Sequence, residues 1–192
     1  FFLREVPFGQ DGNYSHEAIV QRINADLAND LGNLAQRSLS MIAKNCGGRV
    51  PARGELTGAD RAILDQASAA LVSARKAMDE QAIHIALAGI FAVVAEANRY
   101  FAGQEPWALR KTDPARMETV LWTTAETLRR IGIMVQPFVP GSAERLLDLL
   151  AAGGDARSFA HVDDAHALVP GAELPAPQGV FPRYVEPEGD KA

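Results

Sequence analysis

The amino-acid sequence predicts an all-α protein: an antiparallel helix bundle with an extended N-terminal segment and an extended C-terminal tail. Three observations carry that prediction. Alanine and leucine are abundant while aromatics make up only 7% of the residues, a composition that favours helix over sheet. Apolar residues recur at helical spacing through several long stretches. Between those stretches stand helix stop and start signals: Gly47-Gly48, Asp113-Pro114, Pro137 and Pro140.

Residues 1–14, FFLREVPFGQDGNY, are apolar at first and then turn-rich through Gly9 and Asp11-Gly12, and read as a linker segment. The bundle is expected over residues 15–152. Ser15 is a candidate N-cap, and Glu17 lies in the first turn, where the helix dipole favours a carboxylate. Ile19, Ile23, Leu27, Leu31, Leu34 and Ile42 then lay an apolar stripe along one long helix that ends near Asn45. A second helix starts near Thr57 and turns Ile63, Ala67, Ala70, Leu71, Ala74 and Met78 inward. The third spans about Glu80 to Phe101. Its residues 85–97, IALAGIFAVVAEA, are apolar on nearly every side, which predicts the central buried helix. Pro106 suits the first turn of a short helix, PWALRK. Asp113-Pro114 opens the fourth long helix, with Met117, Val120, Leu121, Thr124, Leu128, Ile131 and Val135 facing the core and Trp122 packed mid-helix. Residues 141–151 form a last amphipathic helix. Residues 153–192 change character: a short turn leads to LPAPQGVFPRYVEPEGDKA, whose prolines predict an extended tail packed back on the protein.

Composition narrows the function. The chain has 192 residues, 47% of them hydrophobic, and a formal net charge of −5. An acidic chain lacks the broad basic surface of a non-specific nucleic-acid binder, so any such contact must be local and shape-dependent. The single cysteine, Cys46, allows neither a disulfide framework nor a cysteine zinc site within the chain. No apolar run reaches the ~18–20 residues of a bilayer span, and no signal-peptide pattern opens the chain. Glu80 and His84 stand four apart on one expected helix, without the spacing or second copy of a carboxylate-bridged metal bundle. His161, Asp163, Asp164 and His166 read as solvated loop residues rather than metal ligands. The nucleophile elbow, phosphate loop and dinucleotide glycine pattern are all missing, so no catalytic residue is assigned.

Two features bear on recognition. In NADLANDLGNLAQR, residues 24–37, the polar residues Asn29, Asn33 and Arg37 continue a flank that begins at Arg22 and Asp26 and ends at Lys44. Amides and a guanidinium in a row offer donors and acceptors to base edges; a solvated helix face with i, i+4 pairs has the same spacing. Trp107 follows Pro106 at a helix start, where its indole could stack on an unpaired base or plug the end of the bundle. Arg99, Arg110 and Lys111 add positive charge suited to nearby phosphates.

Taken with ANRYFAGQEPW, the stretch NADLANDLGNLAQR resembles methionyl-tRNA synthetase, and the resemblance extends over nearly the whole chain. REVPFGQDGNYS resembles the stem-contact linker that follows the family's catalytic fold. NLAQR resembles the signature of its anticodon-binding helix, QEPW the segment with its anticodon-stacking tryptophan, and GVFPRY its terminal peptide. The resemblance implies that Trp107, supported by Pro106, stacks on the first base of a CAU anticodon. Asn33 would hydrogen-bond anticodon bases, and Arg37 would hold another base or an adjoining phosphate. Asn98 and Gln104 would support the tryptophan. Some relatives carry an acidic residue where this chain has Ala102. The resemblance further implies a part of a class I methionine–tRNA ligase, cytoplasmic and monomeric, with tRNA(Met) and the enzyme's own catalytic domain as partners. ATP and magnesium would serve the complete enzyme and no cofactor this segment, since the catalytic HIGH and KMSKS motifs and the zinc-bearing insertion are not in these residues. The abrupt opening at Phe1 suggests a fragment rather than a split subunit. Two other readings remain open from the residues alone: a helical protein–protein interaction module without tRNA binding, and a metal-dependent bundle enzyme.

Overall fold

A computed structural model describes residues 1–186. Its elements are helices: α1 (Phe2–Glu5), α2 (His16–Arg22), a π-helical segment (Ile23–Gly32), α3 (Asn33–Asn45), α4 (Gly58–Asp79), α5 (Ile83–Gln104), α6 (Pro106–Thr112), α7 (Pro114–Val135) and α8 (Pro140–Leu149), followed by two short 3₁₀ turns. Among the described residues the only bridge between extended segments pairs Arg49 with Glu173.

The first long helix has the expected path but not the expected winding. Ser15 caps it, its hydroxyl accepting the Ala18 N–H at 3.2 Å. After one α-helical stretch the backbone widens to i→i+5 bonding over Ile23–Gly32 before returning to α-helix at Asn33. The polar flank is therefore not one continuous row. Arg22 and Asp26 pair with each other, and Arg22 also reaches Glu5 of α1 at 2.5 Å. Those two side chains fasten the N-terminal segment, and only the later members of the row face solvent.

α4 begins with a capping box in which Thr57 and Asp60 satisfy each other's backbone N–H groups. Its inward register carries Ile63, Leu64, Ala67, Ala74 and Ala77, while Met78, expected inside, is 42% exposed. α4 and α5 are antiparallel partners joined by a tight turn with Gln81 at φ 57°. Glu80 caps α4 whereas His84 lies in the first turn of α5, so the expected shared helix for that pair does not exist.

The central helix is α7 rather than α5. Every residue from Thr119 to Val135 is buried, and α7 packs against α3, α4, α5, α6 and α8. α5 is more apolar but keeps an open side, with Ile85, Gly89 and Ala92 exposed. Local hydrophobicity does not count neighbours, and the buried charges of α7 and most of its buried threonines, Thr123 excepted, are tolerated because they find partners nearby. Thr124 and Thr127 donate to the carbonyls of Val120 and Thr123, and Glu126, Arg129 and Arg130 form a buried ionic cluster. The α5–α6 path, Ile83–Thr112, is also longer and more apolar than expected: by length and composition alone it could cross a bilayer. In the fold its inner side, with Ile90, Val93, Val94 and Ala97, is part of the bundle core.

The C-terminal segment returns across the bundle, as expected. Val50 bonds to Ala172 and Gly171, Leu174 to Gly48, and the Trp122 indole N–H donates to the Leu168 carbonyl. Val180 is buried in the core. The last part of the expected tail, residues 187–192, lies outside the described residues.

Candidate nucleic-acid interface

Asn33 and Arg37 stand one turn apart at the start of α3, whose opposite side is anchored by buried Leu34, Ala35, Ser38, Leu39 and Ile42. Both are exposed, and the i, i+4 spacing puts them on one face. Arg37 reaches the end of α5 and the start of α6. Its guanidinium carbon lies 5.0 Å from the Phe101 ring centroid and 5.8 Å from that of Trp107. The two rings meet edge to face, with centroids 6.0 Å apart. Phe101 is buried, whereas Trp107 stays 43% exposed. The indole does not plug the bundle: it rests on Phe101 and leaves much of its surface open.

The chemistry of this groove is unspent. Among the described residues Arg37 has no carboxylate partner, and the side-chain amides of Asn29 and Asn33 make no hydrogen bond. A cation held over aromatic faces gains roughly 0.5–1 kcal/mol at an exposed site, enough to orient a guanidinium without consuming its donors. An open ring beside a free guanidinium, with a free amide one turn from the latter, can stack on one planar base and bond the edge or phosphate of another. Arg110 and Lys111 are exposed on α6, next to Trp107 in sequence. Arg99 is instead paired with Glu96 on its own helix.

The turn that presents Trp107 is built from below. Glu105 adopts a left-handed conformation (φ 46°, ψ 54°), which lets α5 end and Pro106 start α6 at once. That conformation costs a non-glycine residue about 1–2 kcal/mol, so the surroundings must hold it. Asp60, fully buried, is the hub. Arg116 grips it with two bonds of 2.5 and 2.7 Å, Tyr100 donates its hydroxyl at 2.5 Å, and Thr57 donates both backbone N–H and hydroxyl. The same Arg116 donates to Gln104 at 2.7 Å. Gln104 therefore secures the last turn of α5 rather than reaching toward a ligand. Asn98 also works within the fold, donating to the carbonyls of Asp30 and Val94 and so tying α5 to the π-helical segment. Pro106 is buried at the first position of α6.

Sequence reasoning missed Phe101 and Asp60. The aromatic pair Tyr100-Phe101, one residue after Arg99, was the available signal for the first. The local Thr57-x-x-Asp60 spacing marks Asp60 only as half of a capping box; its partners Tyr100 and Arg116 lie 40 and 56 residues away.

Burial opposes ionisation of Asp60, but the bonds from Arg116, Tyr100 and Thr57 outweigh it and hold the carboxyl at about 2. Burial and the same carboxylate push the Tyr100 hydroxyl well above its ordinary range. A depressed carboxyl contributes stability that is complete above its unfolded value and is lost as pH falls through the folded one. Acidification from pH 5 to pH 2 is therefore expected to remove about 2 kcal/mol through this group. Urea denaturation followed across that range checks it: Asp60→Asn, weaker at neutral pH, should show a flatter acid limb than the parent.

Comparison with known proteins gives the family and the fold. Residues 50–191 match the family described as the anticodon binding domain of methionyl tRNA ligase, and residues 1–39 match the class I tRNA synthetases for methionine. The chain is 74% identical to the methionine–tRNA ligase of Mesorhizobium japonicum over 192 residues, all of this chain and 37% of that protein. It is 76% identical to that of Brucella melitensis over 186 residues, 97% of this chain and 36% of that protein. The fold superimposes on the crystal structure of ligand-free Mycobacterium tuberculosis methionyl-tRNA synthetase with a TM-score of 0.93 at 54% identity, covering 97% of this chain and 38% of that one. The chain thus spans a little over a third of the length of these relatives. With family match, sequence identity and fold in agreement along its length, the chain belongs to the methionyl-tRNA ligase family, within the part that carries the anticodon-binding domain.

Proposed function

We propose that this chain reads the CAU anticodon loop of tRNA(Met), so that the catalytic part of the same class I enzyme can attach methionine with ATP. One observation carries the reading: an open Trp107 ring stands beside Arg37, which has no carboxylate partner among the described residues, with Asn33 one turn away. Anticodon loops display unstacked bases whose faces and edges such a set can engage. Trp107 stacks on the first anticodon base, Asn33 bonds to base edges, and Arg37 holds a further base or phosphate. Pro106, Asn98 and Gln104 hold these three in place. Specificity then comes from a few placed groups, which accounts for a reader with a net charge of −5.

The partners follow from this reading. Phe2, Leu3, Phe8 and Tyr14 are all exposed on the N-terminal segment, an apolar surface suited to the catalytic part. ATP and magnesium belong to that part, and no residue here is assigned to them. The enzyme acts in the cytoplasm as a monomer, away from membranes. Full-length chain titrated with tRNA carrying CAU or a substituted anticodon tests the core of the proposal. A preference for CAU of about tenfold or more is expected. Equal binding of all anticodons, or none, overturns it and favours a protein-interaction module.

A further inference from the structure

The π-helical segment Ile23–Gly32 ends where Asn33 begins. A π-helix is rare, and runs of this length need outside support. Here three contacts supply it. At its first turn the Asn24 amide grips the tail from both sides: its Nδ2 donates to the Tyr184 carbonyl at 3.1 Å, and its Oδ1 accepts the Tyr184 N–H at 2.8 Å. Late in the segment, Asn98 of α5 takes the Asp30 carbonyl at 3.2 Å. At the last residue the tail crosses Gly32 so closely that an added Cβ would lie 3.3 Å from the Phe181 Cβ, besides lying 2.9 Å from the segment's own Leu27 carbonyl oxygen. Gly32 has ordinary helical dihedrals (φ −64°, ψ −46°). Its lack of a side chain therefore serves close approach and not a left-handed turn. His16, at the start of α2, adds a 2.8 Å contact to Glu186 and an edge contact to the Tyr184 ring.

Winding has a directional consequence. Each residue of an α-helix advances about 100° around the axis, and the wider π turn advances less. Converting the segment to α-helix would rotate everything after it relative to everything before it. Asn33, the first residue past the junction, is the groove side chain closest to that rotation. Tail and segment are thus joined at the very backbone that aims it.

We infer that the C-terminal tail is a latch: through Asn24 and Gly32 it holds the π-helical winding that points Asn33 into the groove, making Asn24 and Gly32 positioning residues for anticodon discrimination. This rests on the proposed anticodon reading. The latch sets how well CAU is distinguished from other anticodons more than how tightly tRNA is held, because the stacking ring of Trp107 lies on α6, outside the helix whose aim the winding sets, and Arg37, though on α3, is held over Phe101 and Trp107.

The experiment compares the full chain, Asn24→Ala, Asn24→Asp, and a chain ending at Arg183, which lacks Tyr184 but keeps Val180 in the core. Affinities for CAU and substituted-anticodon tRNA are measured well below each protein's melting temperature, with circular dichroism confirming the fold. The CAU preference is expected to fall about tenfold in Asn24→Ala and in the shortened chain. Asn24→Asp, which keeps the acceptor for the Tyr184 N–H and loses the donor, should fall between. Unchanged preference in the shortened chain overturns the latch, as does an equal loss of affinity for every tRNA. If the unmodified chain shows no CAU preference, it is the anticodon reading that fails, and the two failures are thereby distinguished.

Discussion

Trp107→Ala is expected to weaken binding of CAU-anticodon tRNA by one to two orders of magnitude. Stacking of a base on an aromatic side chain is worth about 1–3 kcal/mol, and the open part of this indole has no other partner of comparable size in the fold. Truncation removes the platform and also one of the two rings under the Arg37 guanidinium. Phe101 remains, at 5.0 Å, so Arg37 keeps half of its support and the loss stays mostly that of the stack. Trp107→Phe, with a smaller ring on the same backbone, should retain part of the affinity. Because Trp107 is 43% exposed and packs chiefly on Phe101, the melting temperature should move little in either variant. Equilibrium binding with CAU tRNA, beside thermal unfolding, reads both quantities. An alanine variant that binds with parental affinity would sink the stacking assignment.

The groove was legible in the sequence to different depths. Asn33 and Arg37 were visible because one helical turn is a local property, and Pro106-Trp107 because a proline at a helix start is local too. Their meeting across α3 and α5–α6 was not: spacing alone favoured a wet helix flank, and it was the resemblance to a known family that ordered the segments. Phe101, Asp60 and Asn24 remained hidden for a related reason. Each works through a partner distant in the chain, Asn24 through one 160 residues away. Periodicity carries no information on such pairs. The π winding had left a trace. Ile19, Ile23, Leu27 and Leu31 repeat every four residues, and on an α-helix a strict repeat of four drifts about 40° per step. A helix meant to keep that stripe facing inward has reason to widen.

The interior told the opposite story. α5 looked central because hydrophobicity is local, and α7 is central because pairing is not. Glu126, Arg129 and Arg130 are each at most 2% exposed, in a position where charged residues read as surface. Their burial is explained only by what meets them: the 157–168 segment, which passes over α7 and contributes carbonyls, an amide and the Asp164 carboxylate.

Glu126→Ala is accordingly expected to be the most damaging single change in the core. The Glu126 carboxylate accepts from Arg129 at 2.7 and 2.9 Å, from Arg130 at 2.8 Å and from the Leu168 N–H at 3.0 Å. Alanine leaves two guanidiniums and a backbone amide buried, with Asp164 as the one remaining carboxylate in the cluster. Removing one partner of a buried ionic group costs about 3–5 kcal/mol, against a total of about 5–15 kcal/mol for a typical domain. Glu126→Gln keeps the shape and one acceptor oxygen, so its loss should be smaller. Deleting the arginines as well would not simply repair the damage. Arg129 also satisfies the His161 and Asp163 carbonyls, and Arg130 those of Leu64 and the Ser68 hydroxyl. Urea denaturation monitored by circular dichroism measures the cost, and a loss below about 1 kcal/mol would contradict a buried, fully engaged carboxylate. Glu126 lies on α7 more than two turns past Arg116, the residue that braces the Trp107 turn. At a temperature where the variant is still folded, its CAU preference should therefore match the parent's. Stability and recognition would then separate along one helix, with the deep cluster carrying the first and the Asp60–Arg116 end supporting the second.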